Sequence, residues 1–481
     1  MILTMLVTLY TSRVVLQVLG VEDFGIYNVV GGVVVMFSFL NSAMSSATQR
    51  FLSFELGKND MFQFNRVFSM SINIHALIAL IIFVLAETIG LWFVNTQLVI
   101  PESRLVAANW VYQCSILAFM VSVMSVPYNA AIIANERMGV FAYISIIEVS
   151  LKLLIVFMLQ WILFDKLILY AILILVVAVI IRIIYGVYCK LQIEGCKYRW
   201  IADKKLFSTL FSYAGWNLWG NMAAVGMDQG VNILLNVFFG PVVNAARGIA
   251  YQLSAAVRAF VGNFQMAVNP QIVKRYANNE LASMHSLIFM SAKVSFLLLL
   301  FMGLPLAIEA EYVLSLWLGQ VPEYTVVFVR LVILIMLIDS LSGPLMTAAQ
   351  ASGRIKKYQT IVGGLLLLIP PISYLLLLKF SNPIIPFIVN TGMILIALFA
   401  RLVLLRKLVG LSIRRFFQNV IIPITIITTL ASLSWYIPNP YSGFGKVIFT
   451  GCITSVIIIL LSWFIALSSS ERMLIKSKII K

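Results

Sequence analysis

The chain has 481 residues, of which 62% are hydrophobic and 11% charged, and its formal net charge is +16. A soluble domain carries about 25% charged residues, so this composition and a mean hydropathy of +1.01 exclude an ordinary soluble enzyme and indicate an integral membrane protein. The apolar runs approach the ~20 residues a membrane-crossing helix needs, and they lack the short alternating segments of a β-barrel; an all-α integral membrane protein is expected.

Breaking the chain at polar segments that contain Gly or Pro predicts about fourteen spans, beginning near residues 1, 24, 68, 105, 141, 166, 207, 241, 285, 325, 357, 383, 415 and 443. No basic region precedes the first run, so a cleavable signal peptide is not expected and the run is read as a span. The segment "QRFLSFELGKNDMFQFNR" (49 to 66) reads as an interfacial helix with aromatic rings at headgroup depth. Lys and Arg concentrate on alternate loops: Arg50, Lys58 and Arg66; Arg137; Lys190 to Lys205; Lys274 and Arg275; Arg354 to Lys357; Arg401 to Arg415; and the tail from Arg472. The positive-inside rule places these loops and the C-terminus in the cytoplasm. Topology and acidic headgroups then explain the positive charge without nucleic acid.

An internal repeat emerges at an offset of 220 residues. "LGVEDFGIYNVVGG" (19 to 32) falls on "FGPVVNAARGIAYQ" (239 to 252), with Gly20 over Gly240, and "ELGKND" (55 to 60) falls on "RYANNE" (275 to 280). Further on, "LWFVNTQLVIPE" (91 to 102) matches "LWLGQVPE" (316 to 323), and "PYNAAIIANER" (127 to 137) matches "PLMTAAQASGR" (344 to 354). Corresponding spans lie six apart, the parallel-repeat plan of some transporters. The expected division is 1–206 as an N-terminal lobe, 207–410 as a C-terminal lobe, and 411–481 as two extra spans with a cytoplasmic tail.

Charges inside the spans are the candidate functional residues, because an ionised side chain there costs about 2.5–3.5 kcal/mol or more. Arg247 and Arg258 are eleven residues apart, about 20° around a helix, and Tyr251, Ser254 and Gln265 share their face. In the preceding span Asn217, Asn221, Asp228 and Asn232 form one polar stripe, and Asn41 lies in another that ends at Arg50. Polar stripes on consecutive helices predict a wet cavity. Arg13, Arg247, Arg258 and Lys293 are read as either interhelical pairs or a substrate path; Asp228 and Asp339 either pair with these cations or bind a coupling ion. Glu148 and Lys152 have the i,i+4 spacing of a neutralising pair, and Arg182 is placed to snorkel. His75 and His285 are read as packing or hydrogen-bonding residues rather than a metal pair. Cys114, Cys189, Cys196 and Cys452 form no CxxC motif and carry no recognisable chemistry.

No GxxxxGK[ST], HExxH or GxSxG motif occurs, so ATP hydrolysis and the corresponding catalytic chemistries are not expected. No catalytic residue or metal ligand is assigned and no cofactor is implied; coupling to Na⁺ or H⁺ stays open.

The run "TSRVVLQVLGVEDFGIYNVVGGVVVMFSFLNSAMSSATQRFLSFELGK" (11 to 58) and the segment "GPVVNAARGIAYQL" resemble the Wzx-type polysaccharide flippases of the MOP superfamily, which also holds the MATE exporters and lipid II flippases. The resemblance implies two six-helix lobes forming a V around a central cavity, with two further helices. It implies a substrate of undecaprenyl-pyrophosphate-linked oligosaccharide, moved from the cytoplasmic to the periplasmic leaflet of a bacterial cytoplasmic (inner) membrane for surface polysaccharide, with polymerase and ligase machinery as prospective partners. Arginines line the cavity in the lipid II branch, and Arg13, Arg50 and Arg247 occupy comparable places here. Physically, guanidinium forks suit phosphate oxygens, while Asn, Gln and Ser suit sugar hydroxyls. The alternative is a MATE-like cation or drug antiporter using Asp228, Asp339 and Glu87; a third reading is a non-transporting scaffold.

Overall fold

The computed structural model describes residues 38–96, 100–161, 164–318, 321–437 and 439–467, together with Arg472 and residues 7, 11, 14, 15, 18–20, 23, 26, 27, 30, 31 and 34. The described residues fold into helices α1 (Ser38–Gly57), α2 (Met61–Thr96), α3 (Glu102–Ala134), α4 (Met138–Trp161), α5 (Lys166–Gln192) and α6 (Lys204–Gly240). They continue as α7 (241–277), α8 (Leu281–Ile308), α9 (Ala310–Leu318), α10 (Thr325–Ala351), α11 (Ile355–Lys379), α12 (Ile385–Val409), α13 (Ile413–Tyr436) and α14 (Phe444–Ala466). Helices are the expected form for apolar segments because each satisfies its own backbone hydrogen bonds without water.

Among the described residues eleven helices are long and apolar enough to cross a bilayer, and the chain is a multi-pass membrane protein. Of the fourteen expected spans, the first falls largely outside the described residues and the second is described mainly as α1. The eighth is α7, which is not among the eleven. The expected interfacial helix at 49–66 is instead two helix ends joined by a turn at 58–60. Two of its rings, Phe51 and Phe64, are buried in the core, while Phe62 is exposed.

The chain forms two compact units, Met1–Leu218 and Trp219–Lys481, dividing inside α6. In the first, α3 packs against α1, α2 and α5; in the second, α10 and α12 pack together, with α8 against α10 and α14. Backbone geometry supports the internal repeat. Ten described residues have positive φ, and eight of them fall into four repeat-related pairs: Gly20 and Gly240 (81° and 79°), Asn59 and Asn279 (56° and 60°), Glu136 and Gly353 (62° and 73°), and Gly195 and Gly410 (84° and 70°). The hydrogen bonds match as well. Asn59 N donates to Leu56 O and Asp60 N to Glu55 O, both at 3.1 Å; Asn279 N donates to Tyr276 O at 3.1 Å and Glu280 N to Arg275 O at 2.9 Å. These paired bonds close each helix with the same left-handed cap, which satisfies its last carbonyls.

Proline has a specific consequence in α10. Pro344 lacks the N–H that would bond the Ser340 carbonyl four residues back. Gln265 Nε2 from α7 donates to that carbonyl at 3.0 Å, and to Ser295 Oγ at 3.0 Å. Gly343 makes this approach feasible, since a Cβ there would lie 2.2 Å from Gln265 Oε1. Gln265, expected on a cavity wall, therefore repairs the backbone of α10.

Candidate functional site

The second unit encloses a cavity of about 450 Å³ walled by α6, α7, α10, α11 and α12. Its α6 wall sits close to α11 because α6 presents glycines there. A Cβ on Gly220 would lie 2.2 Å from Gln359 Oε1, and one on Gly230 would lie 2.6 Å from Pro370 Cγ. Small residues permit such backbone approach within membranes, where no hydrophobic force pulls helices together.

Asp228 and Arg247 define one end of the site. On one straight helix their nineteen-residue separation would span about 28 Å. The chain instead turns at Gly240 (φ 79°, ψ −172°), a conformation essentially restricted to glycine. Arg247 then donates from Nη2 to Asp228 Oδ1 at 2.5 Å and to Asp228 O at 3.1 Å, and from Nη1 to Asn232 Oδ1 at 3.1 Å. Its guanidinium lies over the Tyr251 ring, 4.4 Å from the centroid. The Arg247 side chain is 6% exposed and Asp228 37%, so the acid faces the cavity while the arginine is held behind it.

A second pair, Arg258 and Asp339, is looser. Its N–O separation is 3.8 Å, with side-chain exposures of 56% and 38%. Arg401 of α12 completes the cationic set. The structure corrects its expected place in a cytoplasmic loop: it is buried within α12 and lines the cavity. Arg401 Nη1 donates to Ser342 Oγ at 2.8 Å and Nε to Tyr358 Oη at 3.2 Å, which fixes the guanidinium plane. Asn390, eleven residues earlier on the same helix face, also lines the cavity; its buried Oδ1 accepts no hydrogen bond among the described residues.

Of the sequence-derived candidates, the cavity gathers Asn221, Asp228, Tyr251, Ser254, Arg258 and Asp339. Ser254 Oγ donates to Ala250 O at 2.7 Å. Arg247 and Asn232 stand behind Asp228. Lys293 is buried elsewhere in the same unit, its Nζ donating to Ala466 O at 2.8 Å. Arg50 and Asn217 are buried in the first unit, and Arg50 lies 4.5 Å from the Phe51 ring centroid and 5.6 Å from that of Tyr213. Arg13 and the side chain of Asn41 lie outside the described residues.

Glu148 and Lys152 pair at 2.6 Å as expected, and Arg182 stacks 3.9 Å from the Tyr128 centroid. His285 Nε2 hydrogen-bonds Val409 O at 2.9 Å, and its repeat counterpart Asn65 donates to Gly195 O at 2.7 Å. The two residues perform the same structural task. Sequence reading missed Arg401, Asn390, Tyr358 and Gln359. One signal was present, because Asn390 and Arg401 repeat the eleven-residue spacing of Arg247 and Arg258.

No protein-family model matches the chain, and no curated protein matches it. Solved structures do. An outward-facing multidrug-resistance MATE transporter of the MOP superfamily aligns over 84% of this chain and 92% of its own, with a TM-score of 0.72 at 12% identity. MATE in the straight conformation aligns over 84% and 93%, with a TM-score of 0.70 at 12% identity. A MOP superfamily transporter from Pyrococcus furiosus, described as having a binding pocket of reverse polarity, aligns over 84% and 92%, with a TM-score of 0.69 at 11% identity. At these identities the likeness is one of fold: this chain has a MATE-like, all-α membrane architecture.

Proposed function

We propose that the protein is a transporter that flips a polyprenyl-pyrophosphate-linked oligosaccharide across the bacterial cytoplasmic membrane by alternating access. The observation that carries this reading is the charge and polarity of the second unit's cavity. Two guanidiniums, Arg258 and Arg401, line it together with two carboxylates, Asp228 and Asp339, and a third guanidinium, Arg247, stands behind Asp228. Arg247 is occupied with Asp228, whereas Arg258 is half-exposed and its partner stands off at 3.8 Å.

A diphosphate entering the cavity would exchange the loose Asp339 contact for charge-assisted bonds to Arg258, with Arg401 held rigidly nearby. Asn221, Gln359 and Asn390 suit sugar hydroxyls, and the volume falls in the usual range of a small-ligand site. It suits the diphosphate and adjoining sugar, leaving the remaining glycan to extend outward and the polyprenyl chain in lipid. Without such a groove, each unsatisfied polar group would cost several kcal/mol in hydrocarbon, and the charges far more.

The second reading is a MATE-like exporter of organic cations, driven by Na⁺ or H⁺ through Asp228 or Asp339. It is favoured by the exposure of both carboxylates and by the multidrug MATE fold. The excess of guanidinium disfavours it, because like charge repels a cationic substrate. The reverse-polarity pocket described for the Pyrococcus furiosus transporter is a precedent for this fold with a differently charged site.

Equilibrium binding separates the readings. A soluble short-chain polyprenyl diphosphate sugar should bind the purified chain, and Arg258→Gln or Arg401→Gln should each weaken it by about tenfold, the equivalent of one charge-assisted contact. Binding of an organic cation that Asp339→Asn abolishes, with none of the diphosphate, would replace this reading with the exporter.

A further inference from the structure

The first unit carries a groove of about 620 Å³ where the start of α2 and the end of α5 meet the connection from α5 to α6 (193–203). Three cations line it, Lys190 from α5 and Lys197 and Arg199 from the connection. All three are exposed, and none forms an ion pair among the described residues. Glu194 is the one carboxylate among the described residues of the lining. The next acid along the connection, Asp203, is taken by Arg66 at 2.5 Å, so the groove keeps an excess of positive charge.

Polar residues at four-residue intervals on α2 fasten the connection in place. Asn65 Nδ2 donates to Gly195 O at 2.7 Å and to Lys197 O at 2.6 Å, Arg199 N donates to Ser69 Oγ at 3.1 Å, and Asn73 Nδ2 donates to Ile201 O at 3.2 Å. Tyr198 Oη adds a bond to Asn73 Oδ1 at 2.9 Å. The backbone on either side of Lys197 and Arg199 is thereby held, and less order is lost when their side chains close on an anion. Cations that serve only to orient a chain need no shared lining; these three converge on one.

The groove belongs at the membrane surface. Lys190 lies twenty-four residues beyond Lys166, about 36 Å along α5, which exceeds the ~30 Å of a hydrocarbon core. The irregular backbone of the connection also requires polar surroundings. Phe62 and Leu191 line the groove with exposed side chains, and Tyr198 and Trp200, neighbours of Lys197 and Arg199, are exposed as well. Tyr and Trp favour the headgroup region. Cations framed by apolar and aromatic side chains at this depth match both parts of an acidic lipid.

We propose that this groove binds the phosphate headgroup of an acidic phospholipid. Arg199, Lys197 and Lys190 supply charge-assisted hydrogen bonds to the phosphate oxygens, and Phe62 and Leu191 lie against the lipid's apolar part. The site belongs to the first unit and is independent of the substrate assigned to the second unit's cavity.

The test measures binding of phosphatidylglycerol to the detergent-purified full chain by lipid-resolved native mass spectrometry, with phosphatidylcholine and inorganic phosphate as comparison ligands. Arg199→Gln and Lys197→Gln, both at exposed positions, should each weaken phosphatidylglycerol binding by about tenfold, the loss of one charge-assisted contact. Lys204→Gln removes an exposed cation at the start of α6, outside the groove lining, and should leave binding unchanged. Equal loss from Lys204→Gln, or full binding by either groove variant, would overturn the site. Phosphatidylcholine bound as tightly as phosphatidylglycerol would overturn the preference for an acidic headgroup. Competition by millimolar inorganic phosphate that Arg199→Gln abolishes would support the phosphate chemistry, whereas Arg199-dependent phosphate binding without phosphatidylglycerol binding would overturn the lipid as its source.

Discussion

Gly240→Ala tests whether the site depends on the turn between α6 and α7. The backbone there (φ 79°, ψ −172°) is one that a residue with a Cβ tolerates poorly. Among the described residues a Cβ built on Gly240 meets no heavy atom within 4 Å, so against those residues the cost is conformational. Strain of this kind is worth about 1–3 kcal/mol. Relaxation toward helix would also draw Arg247 away from Asp228, now 2.5 Å away. The assay is reversible unfolding in bicelles, followed by steric trapping, with Gly248→Ala as the control. Gly248 also has open space around its Cβ position but lies within regular helix, where alanine should stabilise by about 0.5–1 kcal/mol. The two substitutions should therefore shift stability in opposite directions. A Gly240→Ala protein as stable as Gly248→Ala would refute the claim that this turn requires glycine.

Three further outcomes follow from the structure. Gly343→Ala forces Gln265 away from the Ser340 carbonyl, and should lower unfolding stability by about 1–3 kcal/mol, the cost of a buried acceptor left unsatisfied; thermal unfolding measures it. A double-mutant cycle of Arg247→Ala and Asp228→Asn should give a coupling of about 1 kcal/mol, at the lower end of the usual range because Asp228 is partly exposed. Amide hydrogen bonds from Leu206 and Lys205, aided by the Arg66 and Lys205 charges, hold the Asp203 carboxyl below its ordinary value of 3.8. Its contribution is present above that value and disappears as pH falls through the lower folded-state value. Hydrogen exchange at the start of α6 should rise over that acidic interval, and Asp203→Asn should remove this part of the pH dependence.

The repeat was legible because it rests on turn chemistry as well as hydropathy. Asn59 and Asn279 occupy matching left-handed caps, and Gly20 and Gly240 share a positive φ. Span positions were legible where polar connections separate apolar runs. The turn at 58–60 was less so, since aromatic residues on both sides resembled one interfacial segment while Phe51 and Phe64 belong to the core.

Half of the site could be read from α6 and α7, whose polar residues repeat on one helical face. Arg401 was obscured by Arg406 and Lys407, which made a buried residue resemble part of a basic loop. Gly410, with φ 70° after the last residue of α12, marks the helix end nine residues farther on and would have placed Arg401 inside. Gln265 shows the converse difficulty. Its spacing matches the polar stripe, but its partner is a carbonyl left open by Pro344 on another helix, a relation that periodicity does not encode.

Transfer in proteoliposomes tests the proposed function most directly. Labelled polyprenyl-pyrophosphate oligosaccharide is placed in one leaflet, and its appearance in the other is followed with and without Na⁺ and pH gradients. The account predicts protein-dependent transfer that Arg258→Gln and Arg401→Gln each reduce by about tenfold. Absence of glycan transfer, with gradient-driven movement of an organic cation that requires Asp339, would contradict it.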